Sequence, residues 1–342
     1  MKEKTVIWLV MLCMYVLVSG CTRNKSDEHG QVVANPGCYP YAVQYDGVYY
    51  VMSQDAEAER ITLWRMADLS RWQQGEHREV WGPANGKRWH NIWSPEIYRV
   101  KGKWYVYFEA DDGNTDNHQL YVLENPSADP MKGAFTLKGV LRTNAEWNYG
   151  IHPSTFFVGG RQYLLWSGWP KRRSDTETQC IYLAAMSDPW TVSSGRVMIS
   201  KPIYEWERQW INPDGSRSAY PIYVNENPEP AMSADGRHVI VYYSASGCWT
   251  RYSCVGMVYA RADADLLDST SWHKRPEPAM MSCFRDSIYG PGDVCVVPSA
   301  RCQGATLLYE TKHLLDPRTL VKQIRMKQIV YDAQGFPVLG RP

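Results

Sequence analysis

The sequence has little net charge, few phenylalanines, no long apolar run and little helical periodicity, and each shortage narrows the classes of fold and function. Its 342 residues carry a formal net charge of +1, so no basic surface for nucleic acid is expected. The apolar run in residues 6–18 is too short to cross a membrane as a helix. Helical periodicity is scarce, with one turn predicted in residues 262–272. An all-β fold is therefore favoured.

The cysteines do not have the spacing of a structural zinc site. Nine are present, and none lies in a CxxC or Cys/His arrangement. Without Cys13 and Cys21, which belong to the N-terminal signal described below, an odd number remains that cannot all pair internally. Two bridges are conceivable, and mostly free, buried thiols are the alternative. The candidate bridges are Cys248–Cys254 and Cys295–Cys302.

Residues 1–20 are predicted to be a lipoprotein signal peptide. Lys2 and Lys4 precede the apolar run, and the Val18-Ser19-Gly20-Cys21 segment resembles a bacterial lipobox. Cleavage would leave Cys21 as the lipidated first residue, followed by a polar tether to residue 33. We therefore expect a protein anchored by lipid alone to a bacterial outer membrane, on its periplasmic or cell-surface face.

The abundant residues are tryptophan and tyrosine. The chain has 15 Trp and 23 Tyr but only 6 Phe. Both side chains combine an apolar face with a polar edge, which suits surfaces that stack on sugar rings. The alternative is that they mainly pack between sheets.

One sequence pattern occurs five times between residues 34 and 342. Each copy starts at a proline, passes a glycine turn and ends in a cluster of Tyr, Trp and Val, at intervals of roughly 55–75 residues. Each copy is typical of a β-hairpin. Five such units repeated radially predict a five-bladed β-propeller over residues 34–342. The copies start at Pro40, Pro95, Pro153, Pro228 and Pro291.

The repeat also predicts where functional side chains meet. In a propeller, the first strand of each blade lines the central channel, so the residues at its start face one opening. One position per copy is therefore expected there. These positions are Tyr39, the Trp93–Glu96 turn, His152, Glu226 and Asp293.

Three segments resemble glycoside hydrolase family 43. Residues 93–112 resemble the family's Trp-Ala-Pro-Glu opening of blade two. Residues 224–250 resemble its Asn-Glu-Gly-Pro segment and the Tyr-Ser-Ala-Ser strand that follows, and residues 289–293 resemble Tyr-Gly-Pro-Gly-His. The resemblance extends over nearly all of residues 34–312 and implies a five-bladed propeller.

The resemblance implies inverting hydrolysis of arabinose-, xylose- or galactose-containing glycans. Inversion needs an acid and a base about 6.5–9.5 Å apart, with room for a water. The family's acid matches Glu226, with Glu229 as the competing assignment. A monomer acting on an oligo- or polysaccharide is expected. No cofactor is implied, although a calcium ion in the channel, held in part by Asp293, stays open.

The chain departs from the family's site at four positions. Tyr39 lies where the base Asp is expected, and aligning Asn35-Pro36 instead supplies no carboxylate either. His152 lies where the Asp that tunes the acid is expected. Asp293 and Glu310 each replace a histidine.

Three interpretations remain. An active enzyme could use Glu96 or Asp293 as its base, or Tyr39 as a nucleophile activated by His152. An inactive propeller could only bind glycan, or could be a structural partner in a surface complex. The aromatic candidates for glycan binding are Trp89, Trp93, Trp169 and Trp249.

Overall fold

The computed structural model describes residues 29–54, 59–82, 89–172, 178–209, 223–298, 304–316 and 319–342. The predicted signal peptide and the lipidation site Cys21 lie outside these residues and stay predictions. Within them the fold is all-β, as predicted from the scarcity of helical periodicity. The only helices described there are short 3-10 turns, and the turn expected in residues 262–272 is one of them. They span Leu69–Gln74, Thr115–Asn117, Glu205–Glu207, Ser269–Ser271 and Phe284–Asp286.

The strands group into five consecutive antiparallel units. Unit I contains β2 (Tyr41–Tyr45), β3 (Val48–Gln54), β4 (Ile61–Met66) and β5 (Glu76–Trp81). Unit II contains β6 (His90–Val100), β7 (Lys103–Asp111), β8 (Gln119–Asn125) and β9 (Thr136–Val140). Unit III contains β10 (Ile151–Val158), β11 (Arg161–Gly168), β12 (Thr178–Asp188), β13 (Thr191–Val192) and β14 (Val197–Ser200). Unit IV contains β15 (Tyr223–Met232), β16 (His238–Ala245), β17 (Cys254–Arg261) and β18 (His273–Lys274). Unit V contains β19 (Tyr289–Pro298), β20 (Gly304–Asp316), β21 (Thr319–Tyr331), β22 (Pro337–Val338) and the first strand of the chain, β1 (Gln31–Ala34).

Strand pairing keeps these units largely separate. Units I, II and V form their own sheets. Units III and IV are joined into one nine-stranded sheet by a short parallel contact, in which Thr178 and Gln179 pair with Tyr223 and Val224. Each unit starts with the strand that carries one copy of the sequence pattern, so the five copies correspond to five units.

Neighbouring units pack through their first strands and through apolar clusters. The strands β2, β6, β10, β15 and β19 contact one another in this order, and β19 contacts β2. Buried clusters fill the spaces between consecutive units. Trp104 lies in the cluster shared by units V, I and II, and Trp166 lies in the cluster between units II and III. Most of the tryptophan and tyrosine therefore serves packing, which was the alternative to the sugar-stacking hypothesis.

The N-terminal strand completes the last unit and corrects one boundary. β1 pairs antiparallel with β21, with Gln31 opposite Met326 and Ala34 opposite Ile324. Residues 31–33 are therefore part of the sheet, although they were predicted to belong to the polar tether. The tether prediction was wrong there because β21 offered a strand edge that local polarity does not reveal.

The described cysteines are free thiols. Cys248 and Cys254 are both unpaired, so the candidate bridge between them is not formed and the alternative of free thiols holds for them. The Cys254 thiol lies instead against the carbonyl oxygens of Trp206 and Ala245. Cys295 is also free, and Cys302 lies outside the described residues. Within the described part of the chain, none of the helices has the length and apolar character needed to span a membrane.

Candidate active site

One residue at the start of each unit, and in unit II also Asn91, adopts a left-handed backbone conformation. Its φ lies between 44° and 52° in every unit. A non-glycine residue held there costs about 1–3 kcal/mol, and such residues concentrate at functional sites. In units II to V the strand register also shifts beside this residue, which is how a β-bulge turns a side chain out of the pleat. The five residues are Tyr39, Ser94, His152, Asn227 and Asp293.

Three of these are residues predicted at the shared opening. In unit II the left-handed residue is Ser94, which lies within the predicted Trp93–Glu96 turn. In unit IV the left-handed residue is Asn227, and the predicted residue Glu226 lies immediately before it. The bulge therefore brings two consecutive side chains of unit IV, those of Glu226 and Asn227, close to Asp293.

Tyr39, His152, Glu226 and Asp293 are brought together. The rings of Tyr39 and His152 have centroids 5.7 Å apart. The negative charge of Asp293 acts to raise the pKa of each of the other three residues, Tyr39, His152 and Glu226, so all three lie close to it. A bridge links units III and IV, because Ser167 Oγ accepts from the Asn227 backbone amide at 2.9 Å and lies 3.3 Å from His152 Nδ1.

Two predicted site residues lie elsewhere. The Glu96 carboxylate accepts a hydrogen bond from the Tyr98 hydroxyl. Burial, followed by the charge of Glu229, raises the pKa of Glu96 well above its ordinary value. Each of these two acids lies two residues beyond the left-handed residue of its strand, which is Ser94 for Glu96 and Asn227 for Glu229. Trp169 is only 5% exposed and packs beside Tyr149, so its ring offers little surface to a ligand.

Of the other three aromatic candidates, Trp89 is buried with its ring against those of Phe108 and Tyr121, whereas Trp93 and Trp249 are more accessible. Trp93 is partly exposed and lies over the His118 ring, with centroids 4.4 Å apart. Trp249 is 43% exposed. It follows Cys248, whose thiol adjoins the Glu226 carboxyl. Both tryptophans remain suitable for stacking on a sugar.

Four contributors to the site were not identified from the sequence. These are Glu109, Ser167, Lys312 and Lys322. Lys312 and Lys322 pair across β20 and β21 and contact opposite oxygens of Glu310, at 3.2 and 3.1 Å. Lys322 Nζ also lies 5.1 Å from the centre of the Tyr39 ring. In the sequence, Glu109 could have been recognised as a charged residue within an otherwise apolar strand, the Tyr-Phe-Glu-Ala segment of β7.

The pKa values of Glu226 and Asp293 are shifted in opposite directions. Burial, and then the charge of Asp293, raises the pKa of Glu226 to about 7. Burial alone would raise the pKa of the Asp293 carboxyl. Neighbouring groups, of which the Lys322 ammonium has the largest effect, outweigh burial and lower this pKa below its ordinary value of 3.8. Near neutral pH the site can therefore hold a protonated carboxyl beside an ionised one.

Tyr39 and His152 are both neutral in this environment. Burial raises the pKa of the Tyr39 phenol well above 10. Burial lowers the pKa of His152 to about 4. Proton transfer from this phenol to this imidazole is therefore unfavourable, which argues against Tyr39 as a nucleophile activated by His152.

Unpartnered polar atoms from four units surround the same space. They are deeply buried, and none has a hydrogen-bond partner among the described residues. Each such atom costs about 1–3 kcal/mol unless a water or ligand satisfies it. Such a concentration is expected where ordered water or a polar ligand satisfies these atoms. The atoms are Ser94 Oγ, both Glu109 carboxyl oxygens, His152 Nε2, Glu226 Oε1 and Asp293 Oδ2.

The residues around Asp293 do not suit a calcium ion. One carboxylate oxygen accepts from Ser244 Oγ at 2.9 Å, and the ammonium groups of Lys312 and Lys322 already compensate its charge. A divalent cation there would be repelled by both lysines. No group of three or more His, Cys, Asp or Glu side chains in the described residues is arranged to hold a metal.

Comparison with known proteins gives a consistent family match. The family model described as glycosyl hydrolases family 43 matches residues 38–337. An extracellular exo-α-(1→5)-L-arabinofuranosidase of Streptomyces avermitilis is 31% identical over 87% of this chain and 60% of its own length. A protein of the same name from Streptomyces chartreusis is 32% identical over 78% of this chain and 77% of its own length. The chain thus spans about 60% of the length of the Streptomyces avermitilis relative.

Solved structures agree on the fold. The crystal structure of an α-L-arabinofuranosidase from Lactobacillus brevis matches with a TM-score of 0.77 at 24% identity. The match covers 93% of this chain and 98% of that one. A thermostable family-43 glycoside hydrolase matches with a TM-score of 0.68 over 92% of this chain.

Proposed function

The chain belongs to glycosyl hydrolase family 43, whose hydrolysis needs no cofactor, and from this premise we propose that it removes arabinose units from plant-type glycans. Glu226 is the general acid and Asp293 the general base. The observation that carries this assignment is the pair of carboxyls with oppositely shifted pKa values around one set of unpartnered polar atoms. The choice of arabinose is supported by the relatives named as arabinofuranosidases.

We also propose that the five units close into a five-bladed β-propeller. Support comes from the contacts that run through all five first strands and return from β19 to β2. The pairing of β1 with β21 ties the start of the chain to its last unit. In this arrangement the substrate enters the end of the channel where the five left-handed residues lie.

In the proposed reaction, Glu226 donates its proton to the oxygen that leaves with the aglycone. Asp293 accepts a proton from the water that attacks the anomeric carbon. Lys322 stabilises the ionised base, and Ser244 orients it through its hydrogen bond to Oδ1. Tyr39 and His152, both neutral, contact the sugar without transferring protons.

A panel of aryl glycosides tests the proposed function. We expect the purified chain to release 4-nitrophenol from the α-L-arabinofuranoside faster than from the β-D-xyloside or β-D-galactoside. Products followed by NMR should have inverted anomeric configuration. The assignment is wrong if none of the three glycosides, nor linear arabino-oligosaccharides, is cleaved.

The expected pH dependence follows from the two carboxyls. Asp293 must be ionised, and its pKa lies below 3.8. Glu226 must be protonated, and its pKa is about 7. The value of kcat/KM should therefore form a plateau at about pH 4–6 and fall tenfold per pH unit above about 7. A profile that instead rises through pH 7 would exclude Glu226 as the acid.

A second candidate, glycan binding without hydrolysis, is favoured by one observation. The positions of Tyr39 and His152 carry no carboxylate, although both lie at the centre of the site. Binding of arabino-oligosaccharides with no product after prolonged incubation would support this function over the first.

The location is proposed from the N-terminal sequence alone. The Val18-Ser19-Gly20-Cys21 segment supports lipidation at Cys21 and an outer-membrane anchor. Mass spectrometry of the mature N-terminal peptide decides this, because an unlipidated mature terminus would contradict it. We propose a monomer, which light scattering of the soluble part checks.

A further inference from the structure

Glu109 is an acid that the proposed reaction does not use. It lies on β7 opposite Trp93 and is fully buried. Both its carboxyl oxygens lack a hydrogen-bond partner within the described part of the chain. Burial raises its pKa well above the ordinary value, although the Ser94 hydroxyl and the His152 amide lie close enough to oppose this. An arrangement this costly is expected where a bound group satisfies it.

The atoms that face Glu109 are also unpartnered. His152 Nε2 lies 3.9 Å from Glu109 Oε1, which is too long for a direct hydrogen bond. His152 Nε2 has no partner among the residues that the structure describes, and Ser94 Oγ, although it lies near the Glu109 carboxyl, makes no hydrogen bond of good geometry there. The other ring nitrogen of His152 is occupied at 3.3 Å by Ser167 Oγ, which fixes the ring so that Nε2 faces Glu109.

We infer that Glu109, His152 and Ser94 form a pocket that binds one hydroxyl group of the sugar, with Glu109 as its positioning residue. This inference rests on the proposed function for the identity of the ligand as a sugar. His152 Nε2 and Glu109 Oε1 are 3.9 Å apart, the separation that one bridging hydroxyl oxygen would span. Because Glu109 has no exposed surface, neighbouring side chains must shift for the hydroxyl to enter between them.

The chemistry of the pocket selects a neutral group. A neutral imidazole presents either a donor or an acceptor at Nε2, a protonated carboxyl presents both, and a serine hydroxyl presents both. Such a set matches a hydroxyl, which donates one hydrogen bond and accepts up to two. A carboxylate or an ammonium would remain poorly compensated in this buried space.

The test compares Glu109→Leu with the unchanged protein, in both cases within a Glu226→Gln background so that binding is measured without turnover. Calorimetry is run with methyl α-L-arabinofuranoside, its 2-, 3- and 5-deoxy analogues, and methyl β-D-xyloside. The unchanged pocket should lose about tenfold in affinity for one deoxy analogue, which corresponds to about 1.4 kcal/mol. Glu109→Leu should bind the parent sugar about tenfold more weakly and no longer distinguish that analogue.

Thermal unfolding separates this role from a structural one. Glu109→Leu removes an unpartnered buried carboxyl, so its Tm should be unchanged or higher. The matched control is Glu207, which is equally buried but accepts from the Ile203 and Tyr204 amides and pairs with Lys274. Glu207→Gln should lower Tm.

Three results would overturn the inference. They are unchanged sugar affinity in Glu109→Leu, an equal loss for every deoxy analogue, and a Tm loss as large as that of Glu207→Gln. Failure of the unchanged pocket to bind any probe also counts against it. A protein that binds and discriminates as expected but hydrolyses nothing, when Glu226 is intact, contradicts the proposed reaction and leaves the hydroxyl pocket supported.

Discussion

Replacing Glu226 with glutamine is expected to lower kcat for arabinosides with poor leaving groups by about 10²–10⁴-fold, the usual contribution of a general acid. The amide fills the same space but cannot donate the proton that the leaving oxygen needs. Substrates with an activated leaving group, such as 2,4-dinitrophenol, should lose much less because that group departs without protonation. The descent of kcat/KM above pH 7 should disappear with the carboxyl, whose pKa is about 7.

Glu229 supplies the matched control for this substitution. It lies on the same strand, is similarly buried, and burial raises its pKa to about 8. Its carboxyl, however, accepts from the Val296 backbone amide and lines a cavity of about 460 Å³ further along the strands. Glu229→Gln should therefore change kcat by less than about tenfold. If Glu229→Gln is the inactive variant and Glu226→Gln is active, the assignment of the acid is reversed.

The fold was largely predictable because its signal is repeated. Each copy of the sequence pattern contains a proline and a glycine, and in units II to V the proline lies at a shift of the strand register. Five copies therefore indicate the same kind of local structure independently. The extent of β1 was not predictable, because Gln31 and Val32 become a strand only through their pairing with β21. This pairing joins residues 31–34 to residues 324–326, far apart in the sequence, and local periodicity contains no information about it.

The site was predictable only where it follows the repeat. Tyr39, His152 and Asp293 occupy equivalent positions, so finding the repeat was enough to place them together. Lys322 and Glu109 come from the third and second strands of their units. They reach the centre through the orientation of neighbouring sheets, which a single sequence does not specify. Lys322 and Glu109 therefore escaped prediction, although the residues at the starts of the units, Tyr39, His152 and Asp293, did not.

Replacing Asp293 with asparagine is expected to lower kcat by about 10²–10⁴-fold for activated and unactivated leaving groups alike, because both need the attacking water to lose a proton. This dependence distinguishes it from Glu226→Gln. The acid limb of the pH profile should vanish as well, since the group with a pKa below 3.8 is gone. Azide, which needs no general base, should restore part of the activity and yield a glycosyl azide of inverted configuration.

Tyr39→Phe is the variant that can contradict this assignment of the base. It removes only a hydroxyl whose pKa burial holds well above 10, so we expect a loss below about tenfold, mainly in KM. If Tyr39 were the nucleophile, this variant would be inactive, and Asp293→Asn would retain a covalent route with retained configuration. Inactive Tyr39→Phe together with active Asp293→Asn would thus move the chemistry from unit V to unit I. The opposite result would mean that this chain compensates for the missing carboxylate of unit I with one from unit V, which Lys322 keeps ionised.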